Sequence, residues 1–274
     1  MKYIIILTFF VVSSCDFSTP KKVEENKWPV LEVKENNIEE AASDDSNPIV
    51  FNLLETVLTN LNLEKEDCKL SLVAQKLNPI NPAETIIVIP EIVEEAEHYF
   101  RLNSYVLIVE TLTGKILNQL FETTKTNGLE SDALVLTDIK IDTAPYLVAA
   151  STRAFGVRVS FVGSSRANPY DNEKLSLYLK TKDNGLQKIL NNYETMYYGG
   201  EWDTDCLGTF VLQNKVLIMT EEYSNNFLNI LVSTKVTETE NYLDENNNCQ
   251  SKDVLTNSKS VLKYNGAEYL LEDN

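Results

Sequence analysis

The sequence predicts a mainly β protein (α+β) with an antiparallel sheet, sandwich-like or barrel-like, preceded by one N-terminal amphipathic helix. After about residue 84, apolar residues recur at every second position in most segments. Turn motifs separate these segments, and Asn265-Gly266 between two apolar runs is a strong hairpin signal. No second long helical pattern is evident that could supply parallel β-α-β crossovers.

The helix is expected between Asn47 and Asn62. Asn47 suits the N-cap and Pro48 suits the first helical position. The residues that follow recur at helical spacing up to an expected end near Asn62. These residues are Ile49, Val50, Leu53, Leu54, Val57, Leu58 and Leu61.

The predicted strands follow one another through short turns, which favours antiparallel pairing. Turns are expected at Thr113-Gly114 and Asp183-Asn184-Gly185. Val135, Ile139 and Ile141 are expected to share one face, opposite the charged residues at 138, 140 and 142. The predicted strands are Thr85–Ile92, Ser104–Thr111, Lys115–Phe121, Phe155–Phe161, Leu175–Leu179, Leu186–Leu190, Val216–Met219, Leu228–Val232, Ser260–Tyr264 and Ala267–Leu271.

The first fifteen residues have the pattern of an export signal. Lys2 precedes a short apolar run, which is too short to span a bilayer, and small residues follow. The tetrapeptide from Val12 to Cys15 resembles the lipobox of bacterial lipoproteins. In that family the signal is cut before the cysteine, whose thiol receives a diacylglyceryl group. The alternative is an ordinary cleavable signal that happens to contain a cysteine.

The resemblance implies a membrane-anchored lipoprotein of the bacterial cell envelope that faces the periplasm or the cell surface. Asp16 leaves the choice between inner and outer membrane open. The expected organisation is a signal peptide over 1–14, a flexible acidic and polar tether over 15–47, and a single β-rich domain over 48–274. The tether is rich in Lys, Glu, Asn and Ser and has no sustained apolar period, so it cannot bury enough surface to fold alone.

The cysteines suit an oxidising compartment. With Cys15 lipidated, an odd number remains. Cys206 and Cys249 both lie in polar, turn-like stretches and are expected to form a disulfide. Cys68 is then free, unless it replaces one of them. Because no CxxC spacing occurs, a metal or redox role for these cysteines is not indicated.

Charge limits the classes of partner. The formal net charge of −17 opposes general binding to nucleic acid, because neutralising phosphates requires clustered Lys and Arg. It also opposes adsorption to anionic lipid through a basic patch. A soluble acidic surface explains this charge, and a basic partner is the alternative.

The motifs of common catalysis are missing from the sequence. His98 is the single histidine, and its charged surroundings indicate a solvated side chain. No GxSxG, dinucleotide-binding or phosphate-loop motif occurs. We therefore expect no catalytic residue, metal or cofactor, although a pair of carboxylates like that of a glycosidase stays open. The segment 244–248 has oxygen ligands that could bind calcium. It lacks the glycine and the distal glutamate of an EF-hand loop, so we expect a polar loop there.

Two segments, Tyr197–Asp203 and Gly163–Asp171, are the candidate binding loops. They hold Tyr, Trp and Arg, the residue types that contribute most at protein interfaces, around the glycine pair at 199 and 200. The alternative is that the aromatic residues belong to the core at a strand end. The candidate binding residues are Arg166, Tyr170, Tyr197, Tyr198 and Trp202.

These features favour a non-enzymatic lipoprotein that binds a protein or another envelope component, and an inhibitor-like or immunity-like role is compatible with them. One alternative is a carboxylate-dependent hydrolase of carbohydrate or peptidoglycan. The other is a passive structural lipoprotein without a discrete site.

We expect Cys15 to carry the lipid and residues 1–14 to be absent from the mature protein. Intact mass and detergent partitioning of the wild type and of Cys15→Ala test this expectation, because the variant has no thiol to modify. Equal partitioning of the two proteins into the aqueous phase would contradict it.

Overall fold

A computed structural model describes residues 52–272 of the chain. The predicted signal peptide, the lipidation site Cys15, the tether over 15–47 and the predicted start of the helix lie outside the described residues. The described part is mainly β and contains two antiparallel sheets, one of which curls into a half-barrel. This confirms the predicted fold class. One domain over 48–274 stays a prediction.

The small sheet has five strands in the order β1-β2-β3-β4, with β5 paired to β3. Helix α1 (Leu53–Leu61) and two single-turn 3-10 helices precede it, and the short helix α2 (Thr124–Asn127) follows β4. The strands are β1 (Ala74–Leu77), β2 (Glu84–Ala96), β3 (Tyr99–Glu110), β4 (Ile116–Glu122) and β5 (Glu130–Ser131).

The large sheet has eight strands that pair in sequence order from β6 to β13. Each strand is antiparallel to its neighbour, as the short turns predicted. The strands are β6 (Leu134–Ala149), β7 (Thr152–Gly163), β8 (Tyr170–Lys180), β9 (Leu186–Trp202), β10 (Gly208–Ser224), β11 (Phe227–Leu243), β12 (Cys249–Tyr264) and β13 (Tyr269–Leu271).

Helix α1 begins at Leu53, and the predicted start at Asn47 and Pro48 stays untested outside the described residues. Asn52 is the N-cap in extended conformation, and its side chain accepts a hydrogen bond from the Glu55 amide. An asparagine at this position favours the cap over the helix interior, because its side chain competes for backbone donors. The predicted end is confirmed, since Asn62 closes the helix in left-handed conformation.

The core is divided into three clusters by the sheets. The helix packs Val57 and Leu58 on the outer face of the small sheet, against Ile87 and Ile89 of β2. The inner face of the small sheet packs on β6 to β8. The opposite face of β8 meets β9 and β11 to β13 inside the half-barrel. The structure therefore has a helix, a sheet and a curled sheet in successive layers.

The expected face of β6 is correct except at Val135, which is exposed, whereas Leu136 is buried. The register with β7 shifts between Leu136 and Asp138, and this bulge changes the phase of the alternation. Leu136, Ile139 and Ile141 consequently face the core. A single extra residue in a strand is not visible in an alternating sequence pattern.

The large sheet forks between β9 and β10. These strands pair from Trp202 opposite Gly208 to Met196 opposite Asn214 and no further. The residues before Met196 in β9 and after Asn214 in β10 separate and enclose the half-barrel core. On the paired side of this point, β9 to β12 continue together as an extension that we call the arm. The arm comprises residues 196–202, 208–214, 235–243 and 249–257. Residues 249–259 of β12 are all exposed.

A disulfide closes the tip of the arm. The predicted Cys206–Cys249 bridge is present, with a Cα–Cα distance of 5.7 Å. It joins the turn between β9 and β10 to the start of β12. Cys68 has a buried free thiol, and burial raises its pKa to about 11. The bridge thus fixes two turns in a region with little buried core.

Replacing both Cys206 and Cys249 by Ser is expected to lower the free energy of unfolding by up to about 4 kcal/mol. The reason is that the bridge restricts the unfolded chain across a sequence separation of 43. Urea unfolding with and without reductant measures the loss.

The double variant is also the control, since reductant should lower the wild type to its level and leave the variant unchanged. A wild type whose unfolding is insensitive to reductant would contradict the prediction.

Candidate binding surface

The structure brings the two predicted binding segments together. The first of them was expected to be a loop, but residues 197–202 form the end of strand β9. The loop between β7 and β8 lies along them: the Trp202 amide donates to the Ala167 carbonyl at 3.0 Å, and the Gly200 amide donates to the Pro169 carbonyl at 3.2 Å. This pairing could not be predicted from sequence, because the hydrogen-bonded residues are more than thirty positions apart.

Three aromatic rings share one face of the arm. Tyr198 and Phe210 have parallel rings with centroids 6.2 Å apart and an interplanar angle of 2°. Trp202 lies on the other side of Phe210 at 6.3 Å. The three side chains come from directly paired strands, in which Gly200 stands opposite Phe210. We call Tyr198, Trp202, Phe210 and Arg166 the aromatic surface.

Arg166 extends this surface from the neighbouring loop. Its guanidinium carbon lies 5.8 Å from the centroid of the Trp202 ring, a cation–π distance. The Trp202 indole N–H donates to the Arg166 carbonyl at 2.6 Å, so the indole donor is satisfied. Arg166 is exposed, whereas Tyr198, Trp202 and Phe210 are each partly buried. These rings therefore form a surface cluster and are not part of the three core clusters.

Tyr170 and Tyr197 lie on the opposite face of the arm. Consecutive strand residues point to opposite sides, which separates Tyr197 from Tyr198. The Tyr170 and Tyr197 rings meet edge to face at 5.7 Å. The five predicted binding residues therefore divide into Arg166, Tyr198 and Trp202 on one side and the two tyrosines on the other.

Phe210 is the member that sequence reasoning missed. It lies in the segment 208–212, directly after the cysteine turn, where apolar residues hinted at a strand. Its place between Tyr198 and Trp202 depends on the register of β9 against β10. The signal that could have found it is the polar turn at residues 203–206 between two strand-like segments, which indicates a hairpin.

The glycine pair at 199 and 200 has a packing role. A Cβ on Gly200 would lie 2.5 Å from the Phe210 ring and 2.6 Å from the Thr209 carbonyl oxygen. A Cβ on Gly199 would lie 2.3 Å from the Tyr197 hydroxyl. Glycine in a strand permits such close approach. Each glycine is covered by an aromatic ring on its own face of the arm.

A second cluster, of charged side chains, lies across strands β6 to β9. Arg158 binds Asp142, at 2.8 Å from its Nε, and also Glu173. Tyr146 donates to the same Asp142 oxygen at 2.8 Å, and Thr195 donates to Glu173 at 2.8 Å. The guanidinium is therefore shared by two carboxylates that each have a hydroxyl partner.

The pKa of Asp142 is lower than its ordinary value. Burial by itself raises this pKa, but hydrogen bonds from the Ala144 amide, Tyr146 and Arg158 together outweigh it. Burial and the bond to Asp142 raise the pKa of Tyr146 to about 12. A carboxylic acid that protonates a leaving group needs a raised pKa, and Asp142 shows the opposite shift.

The other sequence candidates are solvated surface groups. His98 lies at the turn between β2 and β3, exposed, 3.7 Å from Glu97. Asp244 accepts hydrogen bonds from the amides of Asn246 and Asn248 and from the Gln250 side chain, which makes its segment the polar turn that was expected. Within residues 52–272, no group of three His, Cys, Asp or Glu could hold a metal ion.

No protein-family model, curated protein or solved structure matches the chain. Among the helices of residues 52–272, none has the length and apolar composition needed to cross a membrane.

Asp142→Asn is expected to lower the free energy of unfolding by about 2 kcal/mol at neutral pH, because Arg158 loses a charged acceptor. A depressed folded-state pKa gives stability that is complete above the ordinary value of 3.8 and is lost as the pH falls through the folded value. The difference between wild type and variant should therefore shrink under acid. Urea unfolding at neutral pH and below pH 3.8 measures it.

Asp138→Asn is the matched control, since Asp138 lies on the same strand in an exposed ion pair with Lys140. Such pairs contribute little, so its effect should be under about 1 kcal/mol. A difference for Asp142→Asn that does not change with pH would contradict the prediction.

Proposed function

We propose that this protein is an exported, lipid-anchored binding protein of the bacterial envelope, without enzymatic activity, that docks a partner protein on its aromatic surface. The lipobox-like residues up to Cys15 support the anchor. The observation that carries the binding role is the partly exposed group of Tyr198, Phe210 and Trp202 beside Arg166.

The contacts that hold the rings of the arm in place support the proposal. The rings lie on paired strands, the disulfide closes the tip, and Trp202 is hydrogen-bonded to the neighbouring loop. Aromatic side chains held in this way contribute large contact area while losing little conformational entropy on binding. Tyr, Trp and Arg are also the residue types most enriched at the centre of protein interfaces.

Apolar neighbours extend the aromatic surface. Leu212 stands directly opposite Tyr198, and Leu255 lies two strands further along the same row. Both are exposed, at 39% and 56%. Exposed apolar residues that extend an aromatic cluster are typical of a docking surface for another protein.

The hydrolase alternative receives less support. Its best carboxylates, Asp142 and Glu173, share Arg158, and the lowered pKa of Asp142 is unfavourable for a general acid. The passive structural alternative predicts that changes in the aromatic surface have no effect on any interaction, which the following experiment tests.

A photo-crosslinking amino acid at position 212 is expected to capture one discrete partner protein in native envelopes. Trp202→Ala or Phe210→Ala should weaken binding of the identified partner by about 2 kcal/mol or more, roughly thirtyfold in the dissociation constant. Binding isotherms with the purified partner give this value, and circular dichroism confirms that each variant is folded.

Tyr223→Ala is the matched control. Tyr223 is also an aromatic residue of β10, but it lies outside the arm, and its side chain is 59% exposed. Its removal should leave the affinity unchanged. Folded Trp202→Ala and Phe210→Ala variants that bind like the wild type would contradict the proposed site, and unfolded ones would show that the rings are structural.

A further inference from the structure

One edge of strand β10 has no partner strand in the described residues. From Gly208 to Asn214 this edge pairs with β9, but from Lys215 to Met219 only the other edge, towards β11, is paired. The β10–β11 register is regular over this whole length. An unpaired edge offers a row of backbone donors and acceptors to an added strand.

The register identifies which backbone groups are open. The amides of Gly200 and Trp202 bind carbonyls on the β8 side, so the odd-numbered residues of β9 direct their groups towards β10. Tyr197 stands opposite Gln213, which makes the odd-numbered residues of β10 their partners. Continuing this alternation, the N–H and C=O groups that face the open side belong to Lys215, Leu217 and Met219.

A cleft of about 450 Å³ runs along this edge. One wall is the run of consecutive residues 215–219, and the other is formed by Asp142, residues 144–146 and Arg158. The volume falls in the range of ligand sites in proteins. Leu217 and Met219 contribute apolar surface to it and pack on the half-barrel core.

Carboxylates and cations form an ion-pair network beside the cleft. Asp142 and Glu173 share Arg158, and Glu194 pairs with Lys215 at 3.9 Å. The whole chain carries −17. A ligand with a basic group therefore complements the charge of the protein.

We propose that an extended peptide segment of a partner protein, carrying basic side chains, binds in this cleft as an added strand on β10. Open backbone groups at every second residue require donors and acceptors at the spacing of a strand, which an extended peptide supplies. Its apolar side chains cover Leu217 and Met219, and a basic side chain meets the carboxylate cluster at Asp142. This site is separate from the aromatic surface and does not depend on it.

The probe is the capped peptide Thr-Lys-Val-Thr-Val-Lys-Val-Thr-Val, added to the full-length protein. Amide hydrogen exchange followed by NMR should show slower exchange at Lys215, Leu217 and Met219. Val216 and Ile218 should not change, because their amides already belong to the β10–β11 ladder. A merely apolar contact would not produce this alternation.

Two control peptides each change one property of the probe: the first changes its backbone donors and the second changes its charge. N-methylation at alternate residues removes the donors of one edge and should weaken binding about tenfold or more. Replacing both lysines by glutamate should weaken it similarly, and Asp142→Asn should reduce the preference for lysine. These changes separate backbone pairing from charge recognition.

Several outcomes would overturn the proposal. The first is that no binding is detected at peptide concentrations up to about 1 mM. The second is that the N-methylated peptide binds with equal affinity. The third is that slower amide exchange is confined to the aromatic surface. Protection of the three amides before any peptide is added would also overturn it, because the edge would then already be paired by this chain or by a second copy. None of these results bears on the affinity measured for Trp202→Ala.

Discussion

Burial of the central strands on both faces is the constraint on which the rest of the structure depends. In β2, Ile86 and Val88 face the large sheet while Ile87 and Ile89 face the helix. In β8, Tyr178 faces the small sheet while its neighbours Leu177 and Leu179 face the half-barrel. A flat sheet with one covered face would expose half of these residues. The helix and the curl of the large sheet cover them, since each removes a second apolar face from water.

The curl has a consequence for the strands that leave the core. Strand β9 contains register shifts against β8 on both sides of Tyr193, and Asn192 adopts a left-handed conformation. Such bulges bend a strand and increase its twist. The part of β9 before Met196 thereby separates from β10, which leaves the edge from Lys215 to Met219 open. The remaining parts of the two strands stay paired and continue as the arm.

The two proposed binding sites, on the arm and in the cleft, are built in different ways. The arm has little core, so the disulfide, the Trp202–Arg166 contact and the rings that cover Gly199 and Gly200 hold its side chains in place. The cleft lies beside the core, and its chemistry comes from backbone groups and from the carboxylates shared by Arg158. An aromatic surface suits a folded partner, whereas a strand edge suits an extended one.

The sequence by itself determined the class of fold, the hairpins and the disulfide partners, because alternation, turn residues and polar cysteine-containing stretches are local signals. It also singled out Arg166 and Trp202, although nothing local indicates that their loop and strand are paired. Only the tertiary structure decided the bulge that buries Leu136 in place of Val135, the position of Phe210 between two other rings, and the free edge of β10. These features depend on strand register and on where two strands part. Both follow from the summed packing of residues far apart in the chain, which no short pattern records.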